Sequence, residues 1–466
     1  MTLAERQTDQ IRRVRDFRGA VFDRIRKNNR RLPGGASSLA CVRKVAVILA
    51  GPRSGSSLLF SILRRHPCCY APSGEITPFY KLNGLSADTN ASDEIPPAFL
   101  RPGQCPGGLS DDLLSDLSTA ASPRDIWNDE QVFEQYVDDL CLRLILQWPQ
   151  AGFRPEALRT DILRALGFSR RRRSFVVEEF YLDLLGVLAG KYRGVHPAYY
   201  DLPAALIKKR FPGLKIPTGP PHKTGMIEEP PFILLAPRKK TNAADLRERT
   251  LLLKTSTDSY RMPFMSVMFP NADIKIIHLT RNPAASVNGL YDGWRHHGFF
   301  SRNLRAADAT VRSVIPRGLE ITGYSDRFAW GRWWWKYDLP PGWQDHVRDS
   351  LQEVCAFQWL ASNRAILEYV RASGADFLRV RHEDVTRDAR TRSRALKALL
   401  DFLGFGAASA GDLKLDKLPV VQATRPPEHY RWKKRREMIQ PLCGLPDVAE
   451  ISGALGYDIR HKEEWL

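Results

Sequence analysis

The chain has 466 residues, 43% of them hydrophobic and 26% charged, and a formal net charge of +18. Its length supports a large buried core, and no apolar run approaches the roughly 20 residues that cross a bilayer, which argues against a helical membrane span. Seven cysteines without a Cys-x-x-Cys pair suggest neither a disulfide framework nor a zinc site, and the excess of Lys and Arg points to an anionic ligand without naming it.

Residues 1–40 read as a basic amphipathic arm. Ile11, Val14, Phe17, Val21, Phe22 and Ile25 recur at helical spacing, and the stretch closes at Leu32-Pro33-Gly34-Gly35. The arm packs on the domain or on a partner, or makes a peripheral contact with an anionic membrane; packing is favoured because Glu5, Asp9, Asp16 and Asp23 interleave with the arginines. The same acids, and the lack of an apolar signal segment, make a cytoplasmic location the expectation.

From 41 to 466 a single α/β domain is expected, beginning with the apolar strand 45–50, the turn Gly51-Pro52-Arg53-Ser54-Gly55-Ser56-Ser57 and an apolar helix. A strand that runs through a Gly-Ser turn into a helix aims backbone N–H groups and hydroxyls at one point, where the helix dipole favours negative charge. The ATP-binding form of this loop ends in Gly-Lys-Ser/Thr; here Gly55-Ser56-Ser57 carries no lysine, so the loop reads as holding a phosphate without hydrolysing it, with Arg53 as its cation. Short glycine motifs also match by chance in ordinary strand–turn–helix units.

Residues 71–108 are rich in Pro and Gly and read as extended loop. A mostly helical insertion follows at about 110–250, with helices near 132–146 and 178–188, and such an excursion shapes an acceptor pocket. Regular alternation resumes with strand 250–254, helix 260–269, strand 274–279, the helix opened by Arg281-Asn282-Pro283, a long helix 350–372, strand 377–380 and helix 391–403. The pattern predicts a P-loop-like parallel sheet flanked by helices, with ligands at the carboxyl ends of the strands.

Arg281 at a strand end and Ser286 in the next helix make a second anion grip. Two such grips fit a nucleotide phosphorylated at both its 5′ and 3′ ends. Here the chain resembles the sulfotransferases that use 3′-phosphoadenosine 5′-phosphosulfate. The resemblance covers about 44–80 and 250–295, continues through Val380-Arg381-His382-Glu383-Asp384-Val385 and Asp401-Phe402-Leu403-Gly404, and ends with Arg431-Trp432 and Leu455-Gly456-Tyr457-Asp458.

The resemblance implies that Arg53, Ser54, Gly55, Ser56 and Ser57 hold the 5′-phosphosulfate of that co-substrate, that Arg281 and a helix serine hold its 3′-phosphate, that Arg431 adds a C-terminal contact, and that no metal is needed. The family's usual serine falls at Gly289, eight residues after the arginine, so Ser286, one turn earlier, is the stand-in. Sulfuryl transfer needs a cation on the leaving oxygen and a base for the acceptor, and Lys254 matches the family lysine at the bridging oxygen. The branch with a Lys-Thr-His motif takes its base from that histidine, which here is Ser256. A second branch, with the tyrosylprotein and many bacterial enzymes, uses a Gly-Glu pair, and Gly74-Glu75 matches it, so Glu75 is the expected base. His66, His278, His296 and His297 are the rival bases.

The aromatic loop 330–337 with Trp343 lines an acceptor pocket, dips into a membrane interface, or packs against the long helix. The expected acceptor is a small-molecule, lipid or glycan hydroxyl or an amine, with no specific nucleic acid as partner. Two readings stand beside this one: a P-loop-type nucleotide kinase, which needs the missing lysine, and a basic nucleic-acid-binding protein, for which no motif is present.

Overall fold

In the computed structural model, which describes residues 3–27, 38–86, 90–120, 125–172, 175–222, 225–230, 234–307, 309–406, 415 and 417–466, the apolar run after the arm is the middle strand of a five-stranded sheet. The strands are β1 (Lys44–Leu49), β2 (Cys69–Tyr70), β3 (Thr250–Lys254), β4 (Asp273–Thr280) and β5 (Phe377–Arg381), in the order β2-β3-β1-β4-β5 with every pair parallel. The expected architecture of a parallel sheet flanked by helices is the one observed.

Both faces of the sheet are covered, which is why its strands read as continuous apolar runs. Val45, Val47, Leu49, Leu251, Leu253 and Ile276 join one core cluster; Ala46, Ile48, Leu252, Ile277 and Leu279 join another, on the side of α2 (Ser56–Leu63). The first cluster extends into the insertion helices α3 (Glu130–Gln147), α4 (Pro155–Arg171) and α5 (Val177–Lys191), so the insertion shares the core of the sheet.

The arm's helix, α1 (Leu3–Lys27), lies in this same core. Val14, Phe17, Val21 and Ile25 are buried, each worth roughly 1.5–3 kcal/mol of transfer free energy. Arg18 is buried against Asp112 at 3.0 Å, and Arg24 pairs with Asp138 of α3 at 2.8 Å. Arg18 and Arg24 therefore anchor the arm, in keeping with the expectation that it packs on the domain. The closing Leu32-Pro33-Gly34-Gly35 lies outside the described residues.

The remaining helices that position the site are α6 (Pro283–Trp294), α7 (Leu351–Ser373) and α8 (Ala389–Leu403). The start of α7 is fixed by a capping box between Ser350 and Glu353 and its end by Gly374 at φ 61°. The stretch 71–108, expected to be extended, contains the helices Thr77–Leu82 and, at its end, Gly107–Leu114; Pro78 opens the first, where its missing N–H does no harm.

The aromatic loop folds inward. Trp334–Lys336 pairs with Phe300–Asn303 as an antiparallel ribbon, and Trp334, Trp335 and Trp343 are buried. Tyr337 follows at φ 63° and drives its ring against α6, where a Cβ on Gly293 would fall 1.6 Å from its hydroxyl oxygen. Gly293→Ala is therefore expected to destabilise the protein by about 1–3 kcal/mol through overpacking. Gly190→Ala, on α5 with nothing within 4 Å of the new methyl, should raise stability by about 0.5–1 kcal/mol. Thermal unfolding of both variants checks the contrast; equal melting temperatures would show that Tyr337 does not occupy this slot.

Candidate active site

The register sets Ile48 opposite both Lys254 and Ile277, and Thr280 opposite Arg381. The carboxyl ends of four strands are thereby level, and the Gly51–Ser57 turn, Lys254, Arg281 and His382 emerge along one edge. The chain leaves β1 toward β2 and β3, then crosses to β4 and β5 on its other side, which opens a crevice at the end of β1.

The turn is built for close approach. Gly55 stands at φ 91° as the N-cap of α2, and a Cβ there would fall 2.3 Å from His382 Nδ1; a Cβ on Gly51 would fall 2.6 Å from Ser362 Oγ. No side chain caps α2, so its first N–H groups remain open to a ligand. Arg53 itself holds φ 64°, a conformation that costs a non-glycine residue about 1–3 kcal/mol.

Arg53, Arg281 and Arg431 meet at this turn. Arg281 donates from Nη1 to the Arg53 carbonyl at 3.0 Å, while the Nε atoms of Arg53 and Arg281 are buried without a hydrogen-bond partner. The Arg53 guanidinium stacks 5.0 Å from the Phe299 ring centroid. Burial, helped by the Arg53 and Arg431 cations and opposed by Glu383, brings Arg281 down to about 10. Burial also lowers Arg431, whose Nη2 is 3.1 Å from Asp292 of α6. Crowded, desolvated guanidinium groups with orphan nitrogens are the chemistry of an anion site.

The turn that carries Arg281 is fixed by its own contacts: Glu383 accepts from the Asn282 backbone at 2.9 Å and from its side chain at 2.7 Å, and Tyr457 donates to Glu383 at 2.9 Å. Asn282 in turn caps α6 through Ala285 N–H at 2.8 Å. His382, just before Glu383, lines the cavity, and burial together with the Arg281 and His429 charges holds its imidazole well below the usual range.

On α6 the cavity is lined by Ala285 and Asn288. Ser286 is wholly buried, its hydroxyl has no hydrogen-bond partner, and it is not among the lining residues. A Cβ on Gly289 would stand 3.3 Å from Arg53 Cβ and 3.9 Å from Arg281 Nη1. Position 289 thus faces both arginines, and the glycine makes room for the left-handed Arg53.

Lys254 and Glu75 form an ion pair at 2.5 Å, and Lys254 Nζ also donates to Ser57 Oγ at 3.0 Å. Lys254 is buried and Glu75 is 37% exposed, so the pair bridges the turn and the open cavity. The rival histidines stand elsewhere: His66 is stacked on Phe405, His278 is buried in β4 and held at about 4 by desolvation, and neither they nor His296 and His297 line the cavity.

The cavity has a volume of about 800 Å³ and runs from the turn to the insertion. Of the aromatic loop 330–337, Tyr337 lines it, stacked on Phe299 at 5.1 Å. Residues 417–431 pass over the turn, and Gln422 accepts from Arg53 Nη1 with its carbonyl at 2.8 Å and from Ser57 Oγ with its side chain at 2.7 Å. Gln422, Phe299 and Glu229 escape sequence reasoning, for Gln422 despite the density of Arg, Lys and His in 417–436, whereas Tyr337 belongs to the aromatic loop read as a pocket lining. Among the described residues no group of three His, Cys, Asp or Glu side chains converges, no helix is long and apolar enough to cross a membrane, and the seven cysteines are free.

No protein-family model matches the chain, and no curated protein matches it. Two solved structures are similar to it. One is the sulfotransferase domain from the Synechococcus PCC 7002 olefin synthase, at 15% identity and a TM-score of 0.31, covering 90% of this chain and 96% of that one. The other is the sulfotransferase domain from the curacin biosynthetic pathway, at 12% identity and a TM-score of 0.32, covering 90% and 99%.

Proposed function

We propose that this chain is a transferase whose anion cradle holds an activated nucleotide, and specifically a sulfotransferase that uses 3′-phosphoadenosine 5′-phosphosulfate. The observation that carries the reading is the meeting of Arg53, Arg281 and Arg431 beside the open end of α2, with two guanidinium nitrogens lacking partners. Three arginines beside an open helix terminus supply donors enough for a ligand with phosphates at both ends.

In this reading the turn residues Arg53, Ser54, Gly55, Ser56 and Ser57 take the 5′ end, and Arg281 with Arg431 takes the 3′ end, where Gly289 leaves the space that a serine fills in the family. The donor supplies a sulfuryl group on a phosphate leaving group. Lys254, already bonded to Ser57, sets its ammonium against the leaving oxygen, and Glu75, at the open side of the same pair, accepts the proton of the acceptor hydroxyl or amine.

The test is thermal unfolding with adenosine 3′,5′-bisphosphate, ADP and AMP, each with and without magnesium. At a hundred times its Kd the bisphosphate should stabilise the fold by about 2.7 kcal/mol, with little effect from the other two. Stabilisation by ADP with magnesium above that of the bisphosphate would favour a kinase and overturn the reading.

A further inference from the structure

The cavity reaches past the cradle along α2, where Phe60, Ser61 and Arg64 line it together with Ser73, Gly74 and Glu75 of the segment that follows. Arg64 is the C-cap of α2, and a side chain there leans back toward the start of its helix. Its guanidinium accordingly lies over the Phe60 ring, 5.3 Å from the centroid, and donates from Nη1 to the Ser73 carbonyl at 3.2 Å. Ser73 is two residues from Glu75, so this cation stands beside the segment that presents the base.

Arg64 has no carboxylate to itself. Among the described residues none lies within ion-pair distance of it, and the acids around it are engaged elsewhere. Asp116 takes Arg143 at 2.8 Å, the Ser73 N–H at 2.9 Å and the Ser73 hydroxyl at 2.6 Å, and Glu75 takes Lys254 at 2.5 Å. Burial outweighs the field of Asp116 and brings the Arg64 guanidinium down to about 10, and Arg64 in turn disfavours the charge on buried Arg238. This wall therefore carries more positive charge than it neutralises. Arg64 is half-buried, and unlike the Nε atoms of Arg53 and Arg281, its Nε and Nη2 are not sealed in by protein.

We propose that Arg64 is a specificity-determining residue that receives a carboxylate of the acceptor, so that the acceptor is an acidic alcohol, neither a neutral nor a cationic one. This inference rests on the sulfotransferase reading of the same cavity.

The geometry selects the group as well as its charge. With Nη1 spent on Ser73, the edge left over is the one formed by Nε and Nη2, whose two parallel N–H bonds match the two oxygens of a carboxylate. A neutral acceptor would leave a half-buried cation uncompensated, and an ammonium would be repelled by it. Phe60, under the guanidinium, gives the acceptor an apolar surface next to its charged end.

The experiment is calorimetry on protein saturated with adenosine 3′,5′-bisphosphate. The three probes are of similar size and carry the same primary hydroxyl: 4-(hydroxymethyl)benzoate, its methyl ester, and 4-(aminomethyl)benzyl alcohol. Wild type should bind the carboxylate at least about tenfold more tightly than the ester, with the amine weakest. Arg64→Ala should remove the advantage of the carboxylate while its affinity for the ester stays within about threefold. Arg64→Lys, a point charge without the fork, should keep about threefold of the advantage. Equal binding of carboxylate and ester, tighter binding of the amine, an advantage that survives in Arg64→Ala, or binding of none of the three overturns the inference. The bisphosphate titrated alone tells the two readings apart. Equal binding to wild type and Arg64→Ala shows a folded variant with an intact donor site. No binding to wild type means that the donor reading has failed, and the three probes titrated into the free protein then still decide whether Arg64 takes the carboxylate.

Discussion

Replacing Glu75 by Gln is expected to lower turnover by roughly 10²–10⁴-fold while donor affinity stays within about threefold, because a positioned base contributes that much to proton transfer. The geometry makes the two readouts separable. Glu75 touches the donor cradle through Lys254, at 2.5 Å, and Lys254 keeps its second bond to Ser57 at 3.0 Å when the carboxylate becomes an amide. Lys254 is buried, but the amide oxygen in Glu75→Gln can still accept from its ammonium, so the charge keeps a partner in the variant. Single-turnover sulfate transfer and calorimetry with adenosine 3′,5′-bisphosphate, run on the same preparation, give both numbers. Turnover near that of wild type removes Glu75 from the mechanism; lost affinity with normal turnover would make it a part of the donor site instead.

The second large effect is expected from one methyl group. Gly55→Ala should weaken binding of the same bisphosphate by about 10²-fold or more, for two separate reasons. Gly55 holds φ 91°, and forcing a side chain into a left-handed conformation costs roughly 1–2 kcal/mol. The new Cβ would also stand 2.3 Å from His382 Nδ1 and 2.6 Å from its Cε1, so the turn or the imidazole must move, at about 1–3 kcal/mol. His382→Ala removes the second cause and leaves the first. The double variant should therefore recover part of the lost affinity, and a double-mutant cycle reads the difference. Full affinity in Gly55→Ala would mean that the cradle does not need this backbone shape.

Much of the scaffold was readable before any coordinates. The central strands β1, β3 and β4 announce themselves because burial on both faces makes them uninterrupted apolar runs, and the bounds 250–254 match Thr250–Lys254 residue for residue. Edge strand β2, two residues long, gives no such signal. Helix Thr77–Leu82 was hidden by the Pro and Gly around it, although Pro at a first helical turn is as much a start as a stop. The site was legible where one short segment builds it, as in Gly51–Ser57 and Arg281-Asn282-Pro283. It was not legible where distant segments meet: Gln422 reaches Ser57 across 365 positions, and nothing local to either residue encodes the contact. The left-handed backbones of Arg53, Phe299 and Tyr337 were equally silent, since the usual marker of such a conformation is glycine. The amphipathic spacing of α1 was plain, but its companion α3 was a matter of tertiary packing.

The contact of Gln422 with the cradle also sets a threshold for what can bind there. Arg53 Nη1 and Ser57 Oγ each have a partner within the protein, a carbonyl at 2.8 Å and an amide oxygen at 2.7 Å, both from Gln422, which holds φ 49°. An arriving phosphate therefore exchanges hydrogen bonds at that end of the cradle and adds few, so its measured affinity is a difference between two sets of contacts. Inorganic phosphate or sulfate, with nothing to offer beyond the turn, gains little from the exchange. Arg281 and Arg431 likewise hold the Arg53 carbonyl at 3.0 Å and Asp292 at 3.1 Å, so a ligand that engages them also exchanges bonds there, and its advantage over simple anions lies in being held at both ends at once.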